Sequence, residues 1–166
     1  MNKKDTNKHE PNFFVISAPS GAGKTSLVKA LINQTADCKA AISHTTRPKR
    51  SEEIDGRDYY FVSDHDFSEL NAKGGFLESA KVFDYSYGTS LDEAQKIIKS
   101  GKILILEIDW QGALQIKDKY KSAKSIFILP PSLEALRSRL EMRAQDSDET
   151  VEKRMKKAIS ESSKWK

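Results

Sequence analysis

The stretch Ala18-Pro19-Ser20-Gly21-Ala22-Gly23-Lys24-Thr25 brings two glycines, an ammonium and a hydroxyl together at a spacing suited to holding a polyphosphate. Gly21 and Gly23 carry no Cβ, so successive backbone N–H groups can close around an anion. Lys24 would reach the outer phosphates, and Thr25 would offer its hydroxyl to a magnesium ion held mostly by phosphates and water. The pattern calls for glycine at its first position, where this chain has Ala18. Such a loop works between a strand and a helix, whose N-terminus adds partial positive charge. Both neighbours are present: Phe13-Phe14-Val15-Ile16 is an apolar run, and Leu27, Val28, Leu31 and Ile32 recur at helical spacing. The stretch therefore implies that a nucleoside triphosphate binds.

The remaining elements form a frame for this loop. Ala40-Ala41-Ile42-Ser43 reads as a short strand entering a charged segment, His44 to Asp58, that is broken by Pro48 and Gly56. Tyr59-Tyr60-Phe61-Val62 predicts a strand, and Asp64 a cap for a helix through Phe67 and Leu70 that stops at Gly74-Gly75. Phe76 to Tyr87 predicts further short strands, and a helix runs from Asp92 to a stop at Gly101. Ile103-Leu104-Ile105-Leu106-Glu107-Ile108 is the most continuous apolar run, so its strand is buried on both faces and the sheet is parallel and covered by helices. A helix over Gly112 to Tyr120 precedes a second central strand, Ser125 to Leu129, stopped by Pro130-Pro131. Ser132 caps a helix carrying Leu133, Leu136 and Leu140, and a last helix starts near Glu149. The expected fold is three-layer α/β with a smaller β-rich insertion.

A chain of 166 residues suits one domain, with residues 1 to 11 a polar, disordered tail. Its single cysteine, Cys38, excludes an internal disulfide. No run is apolar enough for a membrane span and the start is no signal peptide, so the expectation is a soluble cytoplasmic protein. The net charge of +4 suits an anionic partner. Aromatic and basic residues are not interleaved in a stacking platform, which argues against nucleic acid. His9, His44 and His65 have neither metal-ligand nor triad spacing.

Ser43-His44-Thr45-Thr46-Arg47-Pro48-Lys49-Arg50, Gly56-Arg57-Asp58-Tyr59, Glu78, Tyr87-Gly88-Thr89 and Glu107-Ile108-Asp109-Trp110-Gln111-Gly112 follow the loop in order. Together they closely resemble the bacterial guanylate kinases, from about Asn12 to Lys164. The resemblance implies transfer of a phosphoryl group from ATP to GMP with magnesium, and no membrane or nucleic-acid partner. It implies an acceptor site of Ser43, Arg47, Arg50, Tyr59, Glu78, Tyr87 and Thr89, with Asp109 favoured over Glu107 as the acid orienting it. It also implies a core of about 12–46, 90–130 and 151–166, an acceptor region of about 47–89 and a lid of about 131–150 that brings Arg139, Arg143 and Arg154 to the transferring group.

The residue chemistry agrees with those roles. Two guanidinium forks and two phenols can converge on a phosphate monoester, and a carboxylate at Glu78 can accept both adjacent donors of guanine. The chain departs from the family pattern at Glu107, where Asp is common, and at Met142 and Ala144, where glycines usually flank the second lid arginine. Relatives continue past the position of Trp165 into another strand and helix, so a C-terminally truncated form is expected. Two other readings are a catalytically inactive binding module of the same fold and a GTP-hydrolysing switch. The second lacks a recognisable Asn-Lys-x-Asp run.

Overall fold

The computed structural model describes residues 13–142 and 148–163. The expected tail lies outside them, as do Arg143 and Ala144. The central sheet is parallel, in the order β2 (Cys38–Ala40), β7 (Ile103–Glu107), β1 (Phe13–Ser17) and β8 (Lys124–Phe127). Alternation along β1 and β7 assigns its two faces. Phe13, Val15, Leu104 and Leu106 pack on Ala94 and Ile97 of α3 (Leu91–Lys99) and on Ala113 and Ile116 of α4 (Trp110–Lys119). Ile16 and Ile105 face the other way, onto Val28 of α1 (Lys24–Gln34). These are the three layers expected of the chain.

The second sheet runs β4 (Tyr60–Phe61), β3 (His44–Thr45), β6 (Tyr85–Ser90), β5 (Phe76–Val82), with α2 (Asp64–Ala72) packed against it. A third cluster joins α5 (Leu133–Glu141) to α6 (Asp148–Ser163) through Leu136, Leu140, Val151, Met155 and Ala158. No helix among the described residues is long and apolar enough to cross a membrane.

Several boundaries differ from the sequence reading. The strand expected over Ala40–Ser43 ends at Ala40, because the chain leaves the central sheet at Ala41 and joins the second at His44. Caps fall one to three residues earlier than the apolar periodicity suggests. Ser63, not Asp64, accepts from Asp66 N and starts α2; Ser90 and Asp109 start α3 and α4, so these helices begin before Asp92 and Gly112. The strand read at Ser125–Leu129 is shorter and forms an edge rather than a centre, leaving Ile126 48% exposed. Its apolar residues resemble those of a buried strand, and periodicity cannot tell the two apart.

Candidate active site

β1 delivers the chain into the phosphate loop, and the loop turns on glycine. Gly21 and Gly23 have φ of 88° and 96°, in the left-handed region that excludes most side chains. Gly21 is also closely backed: a Cβ there would lie 2.9 Å from Leu140 Cδ2 and 3.0 Å from Leu136 Cδ1. The α5–α6 pair is thus seated against the loop. Arg139, at the end of α5, donates from Nη1 to Ala22 O at 2.9 Å.

Lys24 opens α1 and points inward, donating to Ile108 O at 2.8 Å. Burial lowers its pKa, and the carboxylates of Glu107 and Asp109 oppose that shift. Thr25 donates its hydroxyl to Glu107 Oε1. The register explains the meeting: Ile16 pairs with Glu107, so the last residue of β7 stands level with the loop that follows β1. Ligands collect at these carboxyl ends in open α/β sheets. A hydroxyl and a carboxylate are hard oxygen donors, a set that fits magnesium. Asp109, favoured from sequence as the orienting acid, caps α4 through Gly112 N at 2.9 Å and accepts from Gln111 Nε2 at 3.0 Å. Arg47 bonds elsewhere, to Glu53 and Pro48 O.

Across the same cavity stand Ser43, Tyr59, Glu78 and Tyr87, facing the loop residues Ala18, Pro19, Ser20, Gly21, Gly23, Lys24 and Thr25. Ser43 Oγ and Thr89 Oγ1 lie 3.2 Å apart. Glu78 is buried and accepts from Thr89 N at 3.0 Å. Burial, with Asp109 nearby, pushes its carboxyl up to about 7 despite the Thr89 hydrogen bonds. Burial likewise pushes the Tyr59 phenol up to about 12, so it is a neutral donor.

Behind Glu78 lies Gly112, in the first turn of α4. A Cβ there would fall 2.3 Å from Glu78 Oε2 and 3.1 Å from its Cδ. Glycine inside a helix costs about 1 kcal/mol relative to alanine, and here it makes room for a carboxylate. Gly112→Ala is expected to displace the Glu78 carboxylate and raise KM for any ligand bound to it by about tenfold, the factor that ~1.4 kcal/mol represents. KM for the triphosphate should stay unchanged in the same steady-state assay.

Arg47 and Arg50 are gathered by Glu53, which the sequence reading did not single out. Arg47 Nη2 donates to Glu53 Oε1 at 2.6 Å, and Arg50 N donates to Oε2 at 2.9 Å. Burial opposes the charge on Arg47, but Glu53 outweighs it and raises the pKa; the Glu53 carboxyl is lowered in return. The Arg47 guanidinium lies 5.6 Å from the Tyr59 ring centre and 5.8 Å from that of Phe61. Of the acceptor residues expected from sequence, Tyr59 and Tyr87 lie beside it. The opposite charge three residues after Arg50 was the available signal for Glu53.

Phe83, Lys157 and an apolar groove escaped the sequence, whereas Arg154 is among the residues expected at the site. Arg154 reaches the cavity from α6, with its guanidinium carbon 5.9 Å from the ring centre of Phe83 and Lys157 Nζ 4.0 Å from the same ring. Phe83 has φ of 55°, uncommon for a bulky residue. On the outer side of the loop, Leu27, Leu129, Pro131 and Met142 line a groove beside Arg139. Leu27, one of the apolar residues that mark α1 in the sequence, is 53% exposed there. An apolar residue directly after Thr25-Ser26 was its only clue.

A parallel sheet with a phosphate loop at its carboxyl ends, facing a second polar cluster, defines a nucleotide-binding protein of the phosphate-loop class. The guanylate kinase family model matches residues 10–165, and the chain belongs to that family. It is 53% identical over 152 residues to the guanylate kinase of Pseudomonas fluorescens strain Pf0-1, covering 92% of this chain and 74% of that one. To the guanylate kinase of Coxiella burnetii it is 49% identical over 158 residues, covering 95% and 77%. The crystal structure of guanylate kinase from Anaplasma phagocytophilum superimposes with a TM-score of 0.70 at 34% identity, covering 94% of this chain and 72% of that one.

Proposed function

We propose that this chain catalyses phosphoryl transfer from ATP to GMP, giving ADP and GDP. The observation that carries the reading is the single cavity in which the phosphate loop faces Ser43, Tyr59, Glu78 and Tyr87. Identity of about half over nearly the whole chain to proteins named guanylate kinase supports an enzyme rather than a silent binding module.

In this reading the loop N–H groups and Lys24 take the ATP phosphates, and the groove of Leu27, Leu129 and Met142 takes the adenine. Arg47, Arg50, Tyr59 and Tyr87 take the phosphate of GMP. The two oxygens of Glu78 accept guanine's adjacent ring and amino N–H donors, and the Ser43 and Thr89 hydroxyls serve its carbonyl oxygen. Adenine offers no such pair, and a site left with unpaired buried groups rejects a substrate by roughly 10⁴–10⁵. Thr25, with Glu107 beside it, would hold magnesium, which would supply charge neutralisation on the transferring phosphates. Arg139, Arg143 and Arg154 add positive charge, with the segment of about 131–150 serving as a lid that closes on ATP and the region of about 47–89 holding GMP. No general base is required, since a phosphate monoester has a second pKa near 6 and is largely ionised at pH 7. Rate then comes from positioning and electrostatics. The chain acts in the cytoplasm.

Glu78 gives this reading a pH signature. Its folded pKa of about 7 lies above the ordinary 4.5, so folding favours its protonated form. The stability this contributes is present below 4.5 and is lost as pH rises through 7. Guanine needs the ionised form, so GMP binding at pH 6.5 must expel a proton from Glu78. Calorimetry in buffers of different ionisation enthalpy should register that proton in the wild type and about one fewer in Glu78→Gln. Equal proton counts in the two proteins would contradict the assignment.

A further inference from the structure

β5 is the outer strand of the second sheet, so among the described residues one of its edges has no neighbouring strand. Open edges require some other partner, and here the partner is a helix. Gln111 donates from Nε2 to Lys81 O at 3.1 Å. Gln115 accepts from Ser79 N at 3.2 Å through Oε1 and donates to Ser79 O at 2.6 Å through Nε2. Lys119 donates from Nζ to Leu77 O at 2.9 Å.

The spacing is regular on both sides. The helix side chains recur every fourth residue while the strand groups recur every second residue in the opposite direction. Four helical residues rise about 6 Å and two strand residues about 6.7 Å, so three rungs stay in step. Gln115, using both ends of its amide on one residue, imitates a neighbouring strand.

Glu78 lies between the two pinned residues Leu77 and Ser79. On the same helix Gly112 backs its carboxylate, and the charge of Asp109, which caps that helix, acts on it. We propose that Gln111, Gln115 and Lys119 are positioning residues for Glu78, a side-chain ladder through which α4 sets the selectivity for the acceptor base. This rests on the reading of Glu78 as the guanine acceptor. A carboxylate that must meet two donors at once tolerates little displacement, since hydrogen bonds weaken steeply with angle. The strand that carries it is therefore held from both edges, by β6 on one side and by α4 on the other.

The test uses Gln115→Met, which keeps the length of the side chain and removes both bonds to Ser79. Steady-state kinetics would be measured with GMP and with IMP, which lacks the 2-amino donor, alongside KM for ATP and amide exchange of Ser79 by NMR. The wild type should prefer GMP. The variant should lose about tenfold of that preference in kcat/KM, with KM for ATP within twofold and faster exchange at Ser79. Faster exchange with an unchanged preference would overturn the proposal, because the ladder would then be scaffolding alone. A wild type without preference for GMP would instead overturn the reading of Glu78. Should Gln115→Met not fold, Lys119→Met removes only the outer rung, and an unchanged preference there counts against the ladder while a reduced one supports it.

Discussion

Replacing Lys24 by alanine is expected to lower kcat by about 10²–10³-fold, the range for losing one preorganised electrostatic contact to a transition state. Lys24 extends from the loop into the cavity, where its ammonium is held by Ile108 O among several carboxylates. Burial disfavours its charge, and a polyphosphate restores the balance by replacing a carbonyl with ionised oxygens. That exchange makes the side chain a phosphate contact in waiting. Loss of a hydrogen bond to Ile108 O costs about 1 kcal/mol, but removing a buried ammonium relieves a desolvation penalty of opposite sign. Thermal unfolding should therefore shift by a few degrees at most while kcat collapses. A variant retaining kcat within tenfold would remove Lys24 from the phosphates.

Arg47→Ala should lower kcat/KM for GMP by about 10²–10³-fold, as expected for truncating one partner of a charged contact. The fork is already oriented before any ligand arrives. Glu53 takes Nη2, Pro48 O takes Nη1 at 2.7 Å, and the rings of Tyr59 and Phe61 flank it. Arg47→Lys should not restore activity, because one ammonium cannot bond Glu53 and two phosphate oxygens in the same plane. KM for ATP should be unaffected. An Arg47→Ala enzyme with normal KM for GMP would show that the fork serves only to pin the loop.

The donor half of the site was legible because it is contiguous. Strand, loop, glycines and Lys24 occupy neighbouring residues, so spacing alone brings them together. The residues expected to hold the acceptor are scattered over β5, β6 and the loops before β3 and β4, and no periodicity links Ser43 to Thr89. Family resemblance gathered those residues; their geometry came from the register of β3, β6 and β5. The pair of acids shows the limit most clearly. Glu107 and Asp109 are alternate residues, and nothing in their spacing says that Ile16 pairs with Glu107, placing it by Thr25. Nor does it say that Asp109 is occupied as the cap of α4. Glu53 and Gly112 were missed for a related reason. A charged loop residue and a helix glycine acquire meaning only when their neighbours across space are known.

The contrast between β7 and β8 has the same origin. Ile103–Leu106 in β7 and Ile126–Leu129 at the end of β8 are both apolar runs, yet among the described residues β7 has a strand on each side and β8 on one only. Composition reports what a strand could bury, whereas neighbours decide what it does bury.

The most direct test of the central claim is coupled measurement of ADP formation from ATP and magnesium with GMP, AMP, UMP or dTMP as acceptor. Turnover with GMP exceeding that with each of the other three by several orders of magnitude is expected from Glu78 and the Ser43–Thr89 pair. Equal rates with all four acceptors, or no turnover with GMP, would contradict it.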